Sequence, residues 1–477
     1  MDRNAGLRRT NPISRLLQRS SASRLTAQGQ VVSLIAETGG QNAMVVDSSA
    51  LVEQAVADIV SSAFDSAGQR CSALRLLCVQ GEVADRLLAM LQGAVQELRI
   101  GDPCELATDV GPVIDAQARD MIEHHVHTMH ANGKKVWRAA LNPALVTHGC
   151  FVAPTIIEIN SVSDLKREVF GPVLHVLRYA REDLADVLNA INATGNGLTF
   201  GVHTRIDETV AQAVSASHAG NIYVNRNVVG AVVGVQPFGG EGLSGTGPKA
   251  GGPLYLLRLL AQRPVQAARL AVASSSAAPS SAIRSLPSLA TPSKGALDAL
   301  CAWAQEQGQG TLAAQCNQAA AESPVCGWTA LAGPTGEANL YAVQPRGKVL
   351  CLASGPTRDA DLLAQLSAVL AVGNHALWPA NSQALYDRLP SAVRDRITVT
   401  QDWTKSDVKF DAALCHGSPA DLLALAQTLA KRPGPIISLT GLKPGETRIP
   451  IERLVIEKSL SINTAAAGGN ASLMTLE

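Results

Sequence analysis

The sequence predicts an α/β protein in two units, and three observations carry that reading. Strand-like and helix-like stretches alternate from about Val31 to Ala261. Residues 263–296 then turn small and polar, and the alternation resumes from residue 297. Val32-Ser-Leu-Ile-Ala reads as a short apolar strand, Glu37-Thr-Gly-Gly-Gln as a tight turn and Ala43-Met-Val-Val as a second strand. Asp47 offers an N-cap to a helix whose Leu51, Ala55, Val56, Ile59, Val60, Ala63 and Phe64 share one face. That helix is expected to end at Gly68, with Arg75-Leu-Leu-Cys-Val returning as a strand. Phe200-Gly-Val-His-Thr and Asn221-Ile-Tyr-Val-Asn read as strands around a helix containing Val210, Ala213 and Val214.

The run Ala273-Ser-Ser-Ser-Ala-Ala-Pro-Ser-Ser has too little apolar area to order itself and reads as a flexible linker. Beyond it come a strand at Val349-Leu-Cys-Leu-Ala, a helix from Leu362 to Leu370 and a strand at His375-Ala-Leu-Trp. The stretch from Ile451 to Glu477 is rich in Ala, Gly and Asn and has no core of its own, so it is expected to dock as an extended segment. No fixed-period repeat is present.

The bulk numbers narrow the function classes. Hydrophobic residues make up 46% and charged residues 17% of the 477, a globular composition. Lys plus Arg equal Asp plus Glu at 40 each, which argues against nucleic acid or an anionic membrane as the main partner. No run reaches the ~20 apolar residues of a membrane span. The nine cysteines form no CxxC pair and no disulfide-framework spacing, which fits a reducing, cytoplasmic setting. The first 36 residues hold six arginines and one acid, Asp2. That composition suits a transit peptide, or an exposed amphipathic helix over Ile13-Ser-Arg-Leu-Leu-Gln-Arg-Ser.

The sharpest feature is Gly68-Gln-Arg-Cys71-Ser, a cysteine in a glycine-containing turn between a helix and a strand. A lone cysteine is usually a buried small hydrophobe. Upstream, the Glu37-Thr-Gly-Gly turn presents a carboxylate at a strand end. A thiolate can add to an aldehyde and become a thioester once hydride leaves, and a carboxylate can deprotonate the water that hydrolyses it. Two other features compete. His124, His127 and His130 share a helix that could suggest a metal, but no second ligand cluster joins them, and a solvated face is the plainer reading. Gly333-Pro-Thr-Gly-Glu lacks the dinucleotide fingerprint and its preceding strand, and is given no cofactor role.

Glu37-Thr-Gly-Gly, Gly68-Gln-Arg-Cys71, Glu168-Val-Phe170-Gly-Pro-Val and Pro237-Phe-Gly-Gly-Glu-Gly-Leu-Ser-Gly-Thr-Gly resemble, in order, four signature blocks of the aldehyde dehydrogenase superfamily. Glu37 and Cys71 stand 34 residues apart and Cys71 and Glu168 stand 97 apart, spacings similar to the family's. Leu34-Ile-Ala-Glu-Thr-Gly-Gly-Gln-Asn-Ala-Met, Gly230-Ala-Val-Val-Gly-Val-Gln-Pro-Phe and the tail from Ser461 resemble, more narrowly, the proline utilization A family. Its members join a flavin-dependent proline dehydrogenase to an NAD-dependent L-glutamate γ-semialdehyde dehydrogenase of proline catabolism. The resemblance covers roughly residues 14–258 and 297–477. It implies Cys71 as nucleophile and Glu37 as general base. It implies Glu168 on the nicotinamide ribose and Phe170 beside the nicotinamide. It also implies Ser72, Gly230, Ala231 and Phe238 around the substrate, whose α-carboxylate glycine-flanked N–H groups can solvate. No metal is implied.

On this resemblance, residues 1–36 are the remnant of a cofactor-binding domain and 37–262 the catalytic domain. Residues 263–296 are the linker, 297–450 a Rossmann-like non-catalytic copy of the fold, and 451–477 the docking tail. The family's Pro-Trp-Asn oxyanion donor, Lys-Pro-x-Glu ribose segment and glycine-rich pyrophosphate helix lie ahead of the base, where this chain has 36 residues. An oxyanion donor alone contributes ~2.7–4 kcal/mol. In the second unit, Trp378 and Asn381 stand where the ribose-binding Lys and Glu would be, so NAD is not expected there. FAD belongs to the proline dehydrogenase half. The expected activity is oxidation of the semialdehyde. The alternatives are a non-catalytic assembly or lid module, or a truncated reading frame. A small aldehyde and either a homo-oligomer or the missing half are the expected partners. In an assembled turn, Cys71 is expected to alkylate faster than the other eight cysteines.

Overall fold

A computed structural model describes residues 12–260, 263–275, 286, 289 and 295–465. Its largest layer is a ten-stranded sheet. From one edge the order is Cys326–Leu331, Glu337–Pro345, Val455–Asn463, Asn221–Val224, Thr199–His203, Asn42–Val46, Leu74–Gln80, Val173–Tyr179, Thr155–Ile159 and Lys135–Arg138. The seven strands from Val455–Asn463 to Thr155–Ile159 run parallel. Parallel strands need cover on both faces. Every residue of Asn42–Val46 and Leu74–Gln80 is buried accordingly, the apolar ones in one core with Ala55, Ile59 and Phe64 of the helix Val52–Phe64.

The second sheet has the order Ile397–Thr400, His375–Pro379, Lys348–Ala353, Ala412–His416, Ser438–Leu442, all parallel. Counted along the chain this is 3-2-1-4-5, the order of a doubly wound nucleotide-binding sheet. Alternation along its central strand sends Val349 and Cys351 into one core and Leu350 into another, as period-two geometry requires.

Several expectations change. Val32–Ala36 is not a strand. Bridges Leu25–Val31 and Glu37–Gly245 flank it, and Ala36 exchanges hydrogen bonds with Thr246. Asp47 does not cap the helix, which begins at Val52; its carboxylate accepts from Ser49 and Thr204 instead. The helix Pro12–Ser21 packs on the second unit, not on the first sheet. Ala22 joins Ala426 and Ala430, Leu25 and Val31 join the Leu350 core, and Arg15 donates to Gly434 O. Within the stretch read as a flexible linker, Ala267–Ser274 is a helix that buries Ala268 and Val272 against the second core. Residues 276–285, 287, 288 and 290–294 lie outside the described residues.

The segment after residue 450 docks as a strand. Val455–Asn463 inserts between Asn221–Val224 and the hairpin Cys326–Leu331/Glu337–Pro345, tying both units into one sheet. Residues 466–477 of the proposed tail lie outside the described residues. Among the described residues, no helix is long and apolar enough to cross a membrane.

Candidate active site

The sheet register brings the signature blocks together. The Glu37 turn leads into Asn42–Val46, the Cys71 turn into Leu74–Gln80 and the Glu168 loop into Val173–Tyr179. These are three adjacent parallel strands, with Asn42 opposite Leu74 and Leu76 opposite His175. All three blocks therefore emerge at the amino-terminal edge of the same sheet, within 134 residues of sequence that are far apart before folding.

Cys71 follows a turn in which Ser66, Ala67 and Gly68 have φ of 55°, 54° and 64°. A Cβ at Gly68 would sit 2.2 Å from Gly171 O, so only glycine lets this turn approach the Phe170-Gly-Pro block. Arg75 is the hub beneath it. Its guanidinium is buried and donates to Gly68 O at 2.7 Å, Gly171 O at 3.1 Å, Arg70 O at 3.1 Å and Glu168 Oε1 at 3.4 Å. Its Cζ also lies 5.1 Å from the Phe170 ring centroid. Asn42 holds the other side, donating to Cys71 O at 2.7 Å and Ala73 O at 2.8 Å while accepting from Thr199 N. Sequence alone gives neither residue a role at the site. The available signals were one charged side chain in an apolar strand and one amide at a strand start.

Glu37 is open to solvent on one side and crowded by the Gly239–Gly245 loop on the other. Gly240 N–H donates to its Oε2 at 2.8 Å, and a Cβ on Gly245 would come within 2.7 Å of Oε1. Desolvation pushes the carboxyl up to about 7, against the Gly240 N–H and the charge of Lys249, with Glu241 adding to the rise. A base poised near neutrality is half available at the pH where it works. Glu168 lies across the Glu37 turn: Gly40 N–H donates to its Oε2, and Gly39 could not carry a side chain there. Burial raises Glu168 and Arg75 opposes the rise.

The Cys71 thiol is exposed, yet it is raised above its ordinary value, first by desolvation and then by the charges of Glu37 and Glu168. Burial and these two charges oppose the activation that an assembled turn is expected to bring to the thiol. Ser72 and Cys71 N–H groups pull the other way. Since Glu37 opposes ionisation of the thiol, Glu37→Gln should speed iodoacetamide labelling of Cys71 at pH 8 by roughly threefold. Peptide mass spectrometry with exposed Cys104 as internal reference reads this. A slower or unchanged rate would remove Glu37 from the thiol's surroundings.

Ser72 is buried behind Cys71. Gly230, with φ of 76°, and Ala231 lie on a loop whose far end is pinned by Gln236 to Glu337, Asn339 and Ser461 of the C-terminal strands. Phe238 pairs its backbone with Ala250, and Phe170 is exposed beside a groove of about 350 Å³ that Glu168, Met121 and Ile122 also line. His124, His127 and His130 are exposed. His125 instead faces buried His175, Nε2 to Nε2 at 2.9 Å. Among the described residues, no group of three or more His, Cys, Asp or Glu comes together as metal ligands would.

The second unit has no matching site among the described residues. Trp378 is fully buried and Asn381 accepts from Arg358. At the strand-order switch between Lys348–Ala353 and Ala412–His416, the chain's own turn makes two contacts: Gly445 N–H donates to Asp361, and His416 Nε2 lies 2.7 Å from Glu446 O.

A thiol and a near-neutral carboxylate on neighbouring turns, with backbone N–H groups around both, form an arrangement suited to acyl transfer through sulfur. The aldehyde dehydrogenase family model matches residues 18–265, just over half of the chain, and the chain belongs to that family. It is 52% identical to the bifunctional protein PutA of Escherichia coli over 97% of this chain and 35% of that protein, and 46% identical to PutA of Rhizobium meliloti over 97% and 37%. It is 38% identical to the 1-pyrroline-5-carboxylate dehydrogenase of Geobacillus kaustophilus over 47% of this chain and 43% of that one. The chain thus spans about a third of the PutA proteins it matches. Among solved structures, proline utilization A from Corynebacterium freiburgense aligns over 94% of this chain and 40% of that chain with a TM-score of 0.64 at 23% identity, a likeness of fold.

Proposed function

We propose that this chain carries the thioester-forming site of an L-glutamate γ-semialdehyde dehydrogenase, catalysing semialdehyde + NAD⁺ + H₂O → glutamate + NADH + 2 H⁺ in proline catabolism. The observation that carries the reading is the placement of Glu37 and Cys71 on turns entering paired strands, with the Glu37 carboxylate held by Gly240 N–H. The names of the relatives, PutA and 1-pyrroline-5-carboxylate dehydrogenase, support the substrate. Cys71 Sγ bonds to the aldehyde carbon, and the Ser72, Gly230 and Ala231 region receives the α-carboxylate beside Phe238. NAD supplies the hydride acceptor. Glu37 then takes a proton from water, whose oxygen bonds to the acyl carbon as the C–S bond breaks and returns Cys71.

The described residues fit only one end of the cofactor. Glu168 keeps part of its carboxylate exposed for ribose hydroxyls, with Phe170 beside it. The adenosine end finds no counterpart among the described residues, and at the strand-order switch of the second unit Asp361 and His416 are engaged by the chain's own Gly445 and Glu446. We read that unit as a non-catalytic cover that completes the first sheet, acting in the cytoplasm within a larger assembly. The test is NADH formation from the purified chain with semialdehyde and NAD⁺, alone and mixed with a polypeptide bearing a dinucleotide-binding domain of this family. Turnover that needs both the mixture and Cys71 is expected. A mixture that stays inactive while Cys71 accepts acyl groups would sink the dehydrogenase reading.

A further inference from the structure

Behind Glu37 the chain buries a second charged cluster that the sequence blocks did not explain. Lys249 is 1% exposed, and its Nζ donates to Gly239 O at 2.8 Å and Asn221 Oδ1 at 2.9 Å. Gly239 O belongs to the same peptide group whose N–H, on Gly240, donates to Glu37 Oε2 at 2.8 Å. One planar peptide unit therefore has an ammonium on its oxygen and the carboxylate on its nitrogen. A cation on the oxygen polarises the group and strengthens the N–H as a donor, the cooperative effect of hydrogen bonds in series. Space is reserved for the contact: a Cβ on Gly220 would lie 2.8 Å from Lys249 Nζ. The lysine is in turn held by the C-terminal strand, since its backbone N–H donates to Glu457 Oε2 at 2.9 Å while Tyr341 OH donates to Glu457 Oε1 at 2.6 Å.

We propose that Lys249 is a positioning residue for the base Glu37, acting through the Gly239–Gly240 peptide, and that Glu457 of the C-terminal strand fixes Lys249 in that role. This rests on the reading of Glu37 as the base. The charged groups bearing on Lys249 are Glu457, Glu241, Glu37 and Lys458, and those bearing on Glu37 are Lys249 and Glu241. Burial brings Lys249 down to about 8 while the three carboxylates oppose the fall, so it remains largely an ammonium at neutral pH. Removing its charge raises Glu37 further, because Lys249 holds that carboxyl down.

The test is hydrolysis of 4-nitrophenyl acetate by the full chain, which needs no cofactor. Cys71 takes the acetyl group and releases 4-nitrophenolate in a burst; water deprotonated by Glu37 then releases acetate and the thiol. Lys249→Met should slow deacetylation at pH 7 roughly tenfold, as expected when a charge-assisted hydrogen bond weakens. Its rising pH limb should move to higher pH. The burst counts assembled sites, so rates are compared per acetylated thiol. If Lys249→Met gives no burst, Glu457→Gln carries the same test, with a smaller shift in the same direction. A deacetylation rate and pH limb unchanged in both variants, while Glu37→Gln blocks deacetylation, overturns the proposal alone. A Glu37→Gln protein that deacetylates normally overturns the base reading beneath it.

Discussion

Glu37→Gln is expected to stop the reaction at the acyl-enzyme. With 4-nitrophenyl acetate the variant should still release one burst of nitrophenolate, because acylation needs the exposed Cys71 sulfur and the Ser72 and Cys71 N–H groups beside it. Turnover after the burst should fall about 10²–10⁴-fold, the range a positioned base contributes. In the unsubstituted chain, deacylation should rise with pH through about 7, since the carboxyl is raised to that value and works as a base only when ionised. Acylation should keep rising at higher pH, because the Cys71 thiol lies above its ordinary value. Two separate limbs are thus expected, and only the lower should vanish in Glu37→Gln. Cys71→Ala should lose the burst altogether. A Glu37→Gln variant that hydrolyses its acyl-enzyme at the original rate would place the base elsewhere, and intact-mass measurement of the trapped acetyl group decides between the two.

Local pattern makes part of the fold legible in the sequence. The apolar face from Ala55 to Phe64, the strand after Cys71 and the strand–helix–strand run from Lys348 to Pro379 all form where periodicity places them. Pairing over long separation is what local pattern does not reveal. Ile456-Glu457-Lys458-Ser459 lies in the segment expected to dock, but its composition does not say that both of its charges are buried there. Glu457 is satisfied by Tyr341 and the Lys249 backbone and Lys458 by Ser217 O, partners more than a hundred residues away. No local rule signals such a match. The site divides the same way. Cys71 and Glu37 announce themselves because glycine turns set them apart, whereas Arg75, Asn42 and Lys249 act through backbone carbonyls that no motif spells out.

Arg75→Met should then cost the most stability of any single change at the site, about 3–5 kcal/mol, because it removes both the cation of a nearly buried ion pair and the donor to three carbonyls. Two losses contribute. Glu168, already raised by burial, would keep Gly40 N–H but lose the charge that opposes the rise. The carbonyls of Gly68, Gly171 and Arg70 would also lose their donor, each an unsatisfied group costing about 1–3 kcal/mol where water cannot reach it. Urea unfolding of Arg75→Met, Glu168→Gln and the double variant separates them. If the uncompensated carboxylate dominates, the double variant should recover a large part of the single loss, a coupling expected for residues in direct contact. If the carbonyls dominate, the double variant should be no more stable than Arg75→Met. The 3.4 Å separation of the ion pair against the 2.7 Å bond to Gly68 O favours the second outcome. Arg75 then belongs to the backbone of the Cys71 turn more than to Glu168, and the burst should be lost in both variants that lack it. A loss of stability below about 1 kcal/mol in Arg75→Met, no more than an exposed pair contributes, would mean that the turn stands without its guanidinium.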